Sequence, residues 1–324
     1  MSFIEATTPI NITPNTLANT MDTGLVADQT NLASLEQQIS TGNAINQASD
    51  NPAGAAQLLR LQSGLTRANQ YQANANDGIG WLTLANSTTT SILNQLQSVR
   101  SLVEGVSGNS LTGNASTLQT TADQVNAAMQ NLINLANTTY AGGQPIFAGT
   151  GGQTSPAGAT IAYQSDGTYV GSGNAPTRTV APGTSIPVSV TGPDIFGSGA
   201  SGLLGSSGIL QSIICDLNGT APPGSPSGTP PRSLSDLPGD YSNLQAALNN
   251  AEAAAGTLGA QQDSMQSFAT QASDSVSALT QQLGNVQSTN MAEAITSLQL
   301  QQTSYQEALY ATAQLSTDSL AKYL

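Results

Sequence analysis

The sequence is short of the side chains that carry most protein chemistry. It contains no His, one Cys and six basic residues in 324 positions, and only 8% of its residues are charged. The absence of His excludes Ser-His-Asp and Cys-His catalysis and every His-based metal site. The single Cys215 excludes an intramolecular disulfide framework and, following Ile213 and Ile214, is expected to be a buried, inert thiol. We therefore expect no catalytic residue, no metal site and no cofactor.

The charge that remains is mostly of one sign. Nineteen acidic residues face six basic ones, which gives a formal net charge of -13. Nucleic acids and anionic membrane surfaces are both bound through clustered Lys and Arg, so neither is an expected partner. No apolar run approaches the ~18 residues of a membrane span. The segment Met1–Glu5 lacks the features of a cleaved secretory signal, which predicts a protein that is cytosolic or exported with its N terminus intact.

Two short motifs have the spacing of functional sites but not their context. Residues 197–202 match G-x-G-x-x-G, and Asp216 follows at the distance of a ribose-binding acid. The lead-in Asp194–Phe196 is too short for the strand that a dinucleotide site requires, so we interpret the motif as a flexible loop. Asp216 and Asp236 are candidates for an acid–base pair. Nothing in their spacing selects them over other acids, and turn or capping roles are favoured.

Helical periodicity at both ends is the strongest positive signal in the chain. From Thr16, apolar residues recur at alternating spacings of four and three, with a polar Asp28 among them, and Gly42 ends the pattern as a C-cap glycine. A similar stripe, which also includes Met291, Gln302 and Thr312, occupies the last segment. The residues predicted to form an assembly interface are Met21, Leu25, Leu32, Leu35, Ile39, Ile295, Leu298, Tyr305, Leu309, Leu315 and Leu320.

Further helices are predicted between these ends. Ser49-Asp50-Asn51 before Pro52 is typical of a helix start, and the helix that follows is expected to run for about 50 residues, or roughly 75 Å. A third helix is predicted from about Ser116 to just before Ala141. Helix returns near Leu234 and continues to the end, with a break expected near Gly284.

The composition between these helices is different. Short β-type runs are predicted at Thr160–Tyr163 and Ser185–Val190, separated by turn signals such as Pro182-Gly183. A short helix is expected over residues 203–217. A Pro/Gly/Ser linker then extends to Pro231.

Together these elements predict a mainly α protein with a small inserted β-rich domain. Its N- and C-terminal segments are expected to pair as a long antiparallel helical bundle or coiled coil. Three domains are predicted: a terminal coiled-coil segment from 1–45 with 280–324, a helical bundle from 46–145 with 203–279, and an outer β-rich domain over 146–202.

The terminal stripes have two interpretations. They form either a self-contained bundle or coiled-coil dimer, or the ends of a polymer subunit that become ordered only against neighbours. Many of the stripe positions are Asn, Gln or Thr, and isolated helices so poor in apolar area are marginal in water. The second interpretation is therefore favoured.

Several segments resemble the flagellin family, in the right order along nearly the whole chain. Within that family the form containing Pro52 is most similar to the hook-associated branch, although Asn43-Ala44 replaces the basic pair that is usual there. The matching segments are 38–42, 45–46, 49–53 and 56–61 near the N terminus, then 146–149, 191–196, 258–260 and 319–324.

The resemblance implies a structural role without enzymatic activity. Such proteins are exported unfolded through the flagellar type III apparatus, assemble as a ring at the distal end of the hook, and join hook to filament through an inner core of terminal helices. The implied location is extracellular, in the bacterial flagellum. The implied partners are copies of the chain itself, neighbouring hook-associated and flagellin-type subunits, and an export chaperone.

Two alternatives remain open. The first is a short flagellin that forms the filament itself. The second belongs to another class, a secreted carboxylate-dependent enzyme or cation-binding protein that works through Asp and Glu.

Overall fold

The computed structural model describes residues 14–107, 114–155, 158–199, 202–227 and 229–321. Long helices dominate this part of the chain, as the sequence predicted. The helices are α1 (Pro14–Thr41), α2 (Pro52–Ser107), α3 (Ala115–Ala136), α4 (Gly192–Phe196), α5 (Ile209–Asn218), α6 (Leu237–Gln287) and α7 (Met291–Ala321).

The chain divides into two compact units. The first holds the described residues of 14–66 and 276–321, and the second holds those of 67–275. Both boundaries fall inside helices, in α2 and in α6. The three predicted domains are a different division, which stays a prediction.

The ends of α1 and α2 follow the capping residues of the sequence. Gly42 adopts a φ of 71°, and its N–H donates to the carbonyl of Gln38 at 2.9 Å, which ends α1 as predicted. Asn51 Oδ1 accepts a hydrogen bond from the N–H of Gly54 at 2.9 Å, and Pro52 takes the first helical position. The loop between them is tightened by Asp50, whose Oδ2 accepts from the N–H of Gln47 at 2.8 Å.

The second unit has a continuous hydrophobic core built from helix stripes. On α2 the buried positions alternate at spacings of three and four, and on α6 they recur every seven residues. On α5, Ile213 and Cys215 are buried, which places the single thiol in the interior as expected. The buried stripe of α2 is Leu82, Ala85, Thr89, Ile92, Leu96, Val99 and Val103, and that of α6 is Leu237, Leu244, Ala251, Leu258, Met265 and Ala272.

Three small antiparallel sheets form the β-rich part of the second unit. Each contains two strands, and the third pairs Arg178 with Ile186 across a turn in which Gly183 has a φ of 73°. Strands at 160 and 185 were predicted, whereas the strand before Pro182 was not. The pairs are β1 (Thr139–Tyr140) with β2 (Gln144–Pro145), β3 (Gln153–Thr154) with β4 (Thr160–Ile161), and β5 (Thr177–Ala181) with β6 (Thr184–Pro187).

Two polar anchors hold these small sheets to the helices. Asn137, just after α3, accepts hydrogen bonds from the N–H groups of Ala162 and Tyr163 and donates to the carbonyl of Tyr163, each at 2.8 Å. Arg178 on β5 donates to Asp77 on α2 at 2.7 Å and lies 5.5 Å from the ring centroid of Trp81. Because two-stranded sheets are marginal alone, these contacts explain why such short strands stay in place.

Two helix boundaries lie a few residues from their predicted positions. The short helix expected over residues 203–217 begins only at Ile209, as α5. The break expected near Gly284 occurs at residues 288–290, between α6 and α7. A glycine weakens a helix by about 1 kcal/mol relative to Ala, and α6 stays helical through Gly284 in spite of that cost. The break comes where Asn290 caps α7, since its backbone carbonyl accepts from the N–H of Ala294 at 2.9 Å.

The glycine motif of residues 197–202 lies partly outside the described residues, because 200 and 201 are not among them. Helix α4 precedes it, not a strand. This context agrees with the loop interpretation.

Candidate assembly surface

Helices α1 and α7 pack along each other within the first unit. On α1, the predicted stripe is the half-buried face: Met21, Leu25, Asp28, Leu32, Leu35 and Ile39. None of these side chains is fully buried. The helix pair therefore covers its apolar stripe only in part.

On α7 the packed face lies one residue away from part of the predicted stripe. Leu298, Tyr305 and Thr312 are half-buried as the heptad pattern indicated. The positions between them are small or polar residues, and Ala294 is 6% exposed. The packed face of α7 is Ala294, Leu298, Gln301, Tyr305, Ala308 and Thr312.

The displaced apolar residues form an exposed flank beside that face. Ile295 is 44% exposed and Leu309 is 45% exposed, with Met291 on the same flank. Leu300 and Tyr310, farther round the helix, are 73% and 77% exposed. Leu315 and Leu320 belong to α7, but their side chains lie outside the described part of the structure.

Burial divides sharply between the two units. Among the described residues, every buried hydrophobic side chain except Ala294 belongs to the second unit. All the large hydrophobic residues that are exposed belong to the first: Val26, Leu59, Met291, Ile295, Leu300, Leu309 and Tyr310. Apolar residues exposed in large contiguous patches are rare in soluble monomers and are more typical of interaction sites.

A polar pair lies inside the α1–α7 contact. Gln301 Nε2 donates to Asp28 Oδ1 at 2.8 Å. One polar pair at a core position of a coiled coil fixes register and orientation at the expense of stability. Asp28, the residue that interrupts the apolar stripe of α1, therefore acts as a register marker between the two helices.

The two connections that lead into this helix pair are bonded to each other. The N–H of Ala44, between α1 and α2, donates to the carbonyl of Gln287 at 2.7 Å. In return, the N–H of Thr289, between α6 and α7, donates to the carbonyl of Gly42 at 3.0 Å. Asn43 and Ser288 thus form a one-residue antiparallel bridge, which ties the start of α7 to the end of α1.

The buried carboxylates of the second unit form a structural ion pair. Arg232 donates to Asp216 Oδ1 at 2.6 Å and to Asp240 Oδ2 at 2.6 Å, so one guanidinium joins both acids. Burial raises the pKa of Asp216, and burial with the charge of Asp216 raises the pKa of Asp240 to about 6. Asp236 is not in this bridge and instead accepts from the N–H of Ser233 at 3.0 Å.

This bridge argues against the acid–base interpretation of Asp216 and Asp236. Asp216 is engaged by Arg232, while Asp236 has the turn role that the sequence favoured. No three acidic or thiol side chains come together as metal ligands within the described ranges. In the same residues, none of the helices combines the length and the hydropathy needed to cross a bilayer.

Comparison of the sequence with known proteins finds flagellar relatives. The bacterial flagellin N-terminal helical region matches residues 12–151. Flagellar hook-associated protein 3 of Escherichia coli (strain K12) is 25% identical over 293 residues, covering 87% of this chain and 90% of that protein. Phase 1 flagellin of Salmonella naestved is 30% identical over 137 residues, which is 42% of this chain but only 26% of the flagellin.

Solved structures share the fold. A flagellar hook-associated protein from Vibrio parahaemolyticus is similar with a TM-score of 0.59 over 74% of this chain and 100% of that one, at 18% identity. FlgL from Bacillus cereus gives a TM-score of 0.52 over 69% and 99%, also at 18% identity. The chain shares the long-helix fold of these structures, and its sequence is similar to flagellar hook-associated protein 3 and to the flagellin N-terminal region. These matches confirm the resemblance to hook-associated proteins of the flagellin family that the sequence indicated.

Sequence reasoning missed the small and polar residues of the α1–α7 contact. Ala294, Gln301 and Ala308 recur every seven residues, and each precedes by one position a residue of the predicted stripe, at 295, 302 and 309. The repeat itself was the available signal. The prediction followed the large apolar side chains, although small side chains are what allow two helices to approach closely.

Proposed function

We propose that this chain is a structural adaptor of the bacterial flagellum that joins hook to filament by helical packing. The observation that carries the proposal is the contrast between the two units. The second has a complete core, whereas the first exposes its large apolar residues and buries only Ala294 among its described hydrophobic side chains.

Energetics support assembly through the first unit. Complete burial of a Leu or Ile side chain is worth roughly 1.5–3 kcal/mol relative to leaving it exposed. Ile295 and Leu309 on α7 have realised only about half of that burial within the chain. Contacts with neighbouring subunits provide the remainder, and this makes the pair of helices more stable in the assembly than in the free chain.

The proposed assembly interface is the set of residues predicted from the sequence. Those on α1 are half-buried and can be covered further, while Ile295 and Leu309 are already exposed. Its partners, on this proposal, are copies of the chain in a ring and the adjacent hook-associated and flagellin-type subunits. The set is Met21, Leu25, Leu32, Leu35, Ile39, Ile295, Leu298, Tyr305, Leu309, Leu315 and Leu320.

The site of action is the bacterial flagellum, where the homologous proteins belong. We further propose that the chain reaches it by type III export, unfolded and without cleavage, with an export chaperone shielding the terminal helices. A chain with one thiol needs no disulfide exchange to refold after export. The half-covered α1–α7 stripe supplies the apolar surface that a chaperone would bind.

A single substitution with a matched control tests the adaptor role. Leu309→Asp places a charge on the exposed flank, and Thr303→Asp places the same charge on the opposite, exposed side of α7. Each variant is expressed in a strain that lacks the wild-type gene, and attached filaments are counted by electron microscopy. We expect Leu309→Asp to abolish attachment and Thr303→Asp to retain it.

A stability measurement separates assembly from folding. Leu309 is 45% exposed, so Leu309→Asp should lower the free energy of unfolding by about 1 kcal/mol, and the exposed Thr303→Asp should change it by less than about 0.5 kcal/mol. Equal losses of stability and attachment in Leu309→Asp would contradict the proposal. A deletion strain that builds normally attached filaments would also contradict it.

The alternative function is a short flagellin, and the match of residues 12–151 to the flagellin N-terminal region is the observation in its favour. Copy number distinguishes the two. An adaptor occurs at about one ring per flagellum, whereas a filament protein is present in large excess. Quantitative mass spectrometry of sheared flagella measures that ratio directly.

A further inference from the structure

The second unit contains an open cleft that the adaptor role does not use. Its volume is about 430 Å³, within the range of small-molecule and side-chain sites. It lies between the exposed side of α6 and the segment that runs from β6 into α4. The residues that decide its chemistry are Ser189, Thr191, Asp194, Thr257 and Gln261.

The hydroxyl groups of the cleft use their protons in hydrogen bonds within the chain. Ser189 Oγ shares its one proton between the carbonyl oxygens of Ile146 and Val190, the latter at 2.9 Å. Thr257 Oγ1 donates to the carbonyl of Ala253 at 3.0 Å. Since a hydroxyl carries one proton and two lone pairs, these groups can offer a ligand only acceptors.

Asp194 gives the cleft a negative charge. Its Oδ2 accepts from the N–H of Thr191 at 2.8 Å and from the Thr191 hydroxyl at 2.6 Å. Both bonds use one carboxylate oxygen, so the other keeps its lone pairs. Asp194 is exposed, and no basic residue is among the described residues that line the cleft.

Gln261 adds a buried acceptor without a donor. Its Oε1 is shielded from solvent and has no hydrogen-bond partner among the described residues. Buried polar atoms nearly always have a partner, so an unpaired one at the wall of a cleft indicates where a donor is missing. An acceptor-rich, negatively charged cleft is complementary to a cation that carries several N–H donors.

We propose that this cleft binds an alkyl guanidinium or ammonium group, with Asp194 supplying the charge and Gln261 Oε1 accepting a hydrogen bond. Ala253 and Ala254 provide apolar wall for the alkyl part. Two sources fit this chemistry, a soluble basic compound or Arg60 of a second copy. Arg60 is exposed and forms no ion pair with any residue that the structure describes.

Titration of the full chain with matched ligands tests the site. L-Arginine and L-citrulline have nearly the same shape and the same α-ammonium and carboxylate groups, but only the arginine side chain is charged. By calorimetry and by amide chemical shifts around α4 and α6, we expect arginine to bind at least tenfold more tightly than citrulline, in keeping with a charge-assisted hydrogen bond. Equal affinity for arginine and citrulline would overturn the proposal. The proposal would also be overturned if arginine did not bind and the chain did not self-associate through Arg60.

Three variants locate the binding. Asp194→Asn retains an acceptor for the N–H of Thr191, and Gln261→Met is close to isosteric, so both should fold; melting curves check this. Each is expected to weaken arginine binding by about tenfold. Glu252→Gln removes one charge from an exposed position of α6 outside the cleft and should leave the affinity unchanged. A similar loss in all three variants would show non-specific attraction and refute the site.

Sedimentation at increasing chain concentration distinguishes the two sources. If Arg60 of a second copy is the occupant, Arg60→Gln and Asp194→Asn will weaken self-association equally. The double variant will then be no weaker than either single one, and free arginine will compete. If arginine binds but these variants associate like the wild type, the ligand is a soluble cation.

Discussion

Acidification should stabilise the second unit through one carboxylate. Asp240 at the start of α6 has a side chain only 11% exposed, and its Oδ2 lies 2.6 Å from Arg232 Nη2. Burial is the main cause that raises its pKa, and the Arg232 charge opposes the rise. The pKa is raised from 3.8 to about 6, so the folded chain holds this proton more tightly than the unfolded chain.

The sign and size of the effect follow from linkage. Between about pH 4 and pH 6 the folded state binds more protons at Asp240 than the unfolded state does, so the free energy of unfolding rises as the pH falls. A pKa shift of about two units corresponds to roughly 3 kcal/mol in the free energy of unfolding. Because Asp240 shares the proton with Asp216, we expect a smaller gain of about 1–2 kcal/mol. For a unit of about 200 residues this is ~3–6 °C in Tm.

The variant Asp240→Asn isolates this contribution. Other carboxylates also titrate in this window, so the quantity to measure is the difference in Tm between wild type and variant. Calorimetric melts at pH 7.5 and pH 4 should show the Tm of the wild type gaining several degrees on the Tm of the variant. Parallel shifts of the two proteins would refute the reasoning, and a wild type that loses stability relative to the variant would reverse it.

Three further predictions concern the fold. Gly192→Ala should lower the free energy of unfolding by about 2–4 kcal/mol, because a Cβ there would lie 2.5 Å from the Tyr163 hydroxyl. Gly256→Ala, where a Cβ would have nothing within 4 Å, should instead stabilise α6 by about 0.5–1 kcal/mol. Chemical denaturation measures both. Asn137→Ala removes three hydrogen bonds and should lower the free energy of unfolding by about 2–3 kcal/mol in the same assay, and an unchanged value would contradict the anchoring role. Limited proteolysis should cut before about residue 45 and after about residue 280 in the free chain but not in assemblies, and equal protection in a verified monomer would refute this.

The sequence specified the helices better than it specified their contact faces. Capping residues placed the end of α1 and the start of α2 correctly, because those signals are local. On α7 the sequence also placed Leu298 and Tyr305 in the apolar stripe, and both side chains are half-buried. It placed Ile295 and Leu309 in the same stripe, but the helices meet through Ala294 and Ala308. Hydrophobicity alone does not distinguish a residue that packs inside the chain from one that is left exposed.

Long-range polar contacts were beyond reach of the sequence. Arg232 directly follows the Pro/Gly/Ser linker, and nothing in its local pattern indicates that it bridges Asp216 to Asp240. Gln261 is one of many Gln residues on α6, and only the fold shows that its oxygen lies beside a cleft without a donor. The strand β5 was missed although Thr and Val favour strands. Its Arg178 is held by Asp77 and Trp81 on α2, and these contacts are not visible in the local pattern.

The bridge between Asn43 and Ser288 has a consequence for motion. Its two backbone hydrogen bonds join the end of α1 to the start of α7, and each is worth only about 0.5–1.5 kcal/mol. Neither connection can change its backbone angles without stretching a bond to the other, so the two act as one double-stranded joint. Redirection of α1 therefore carries α7 with it, and the internal register of the pair is kept.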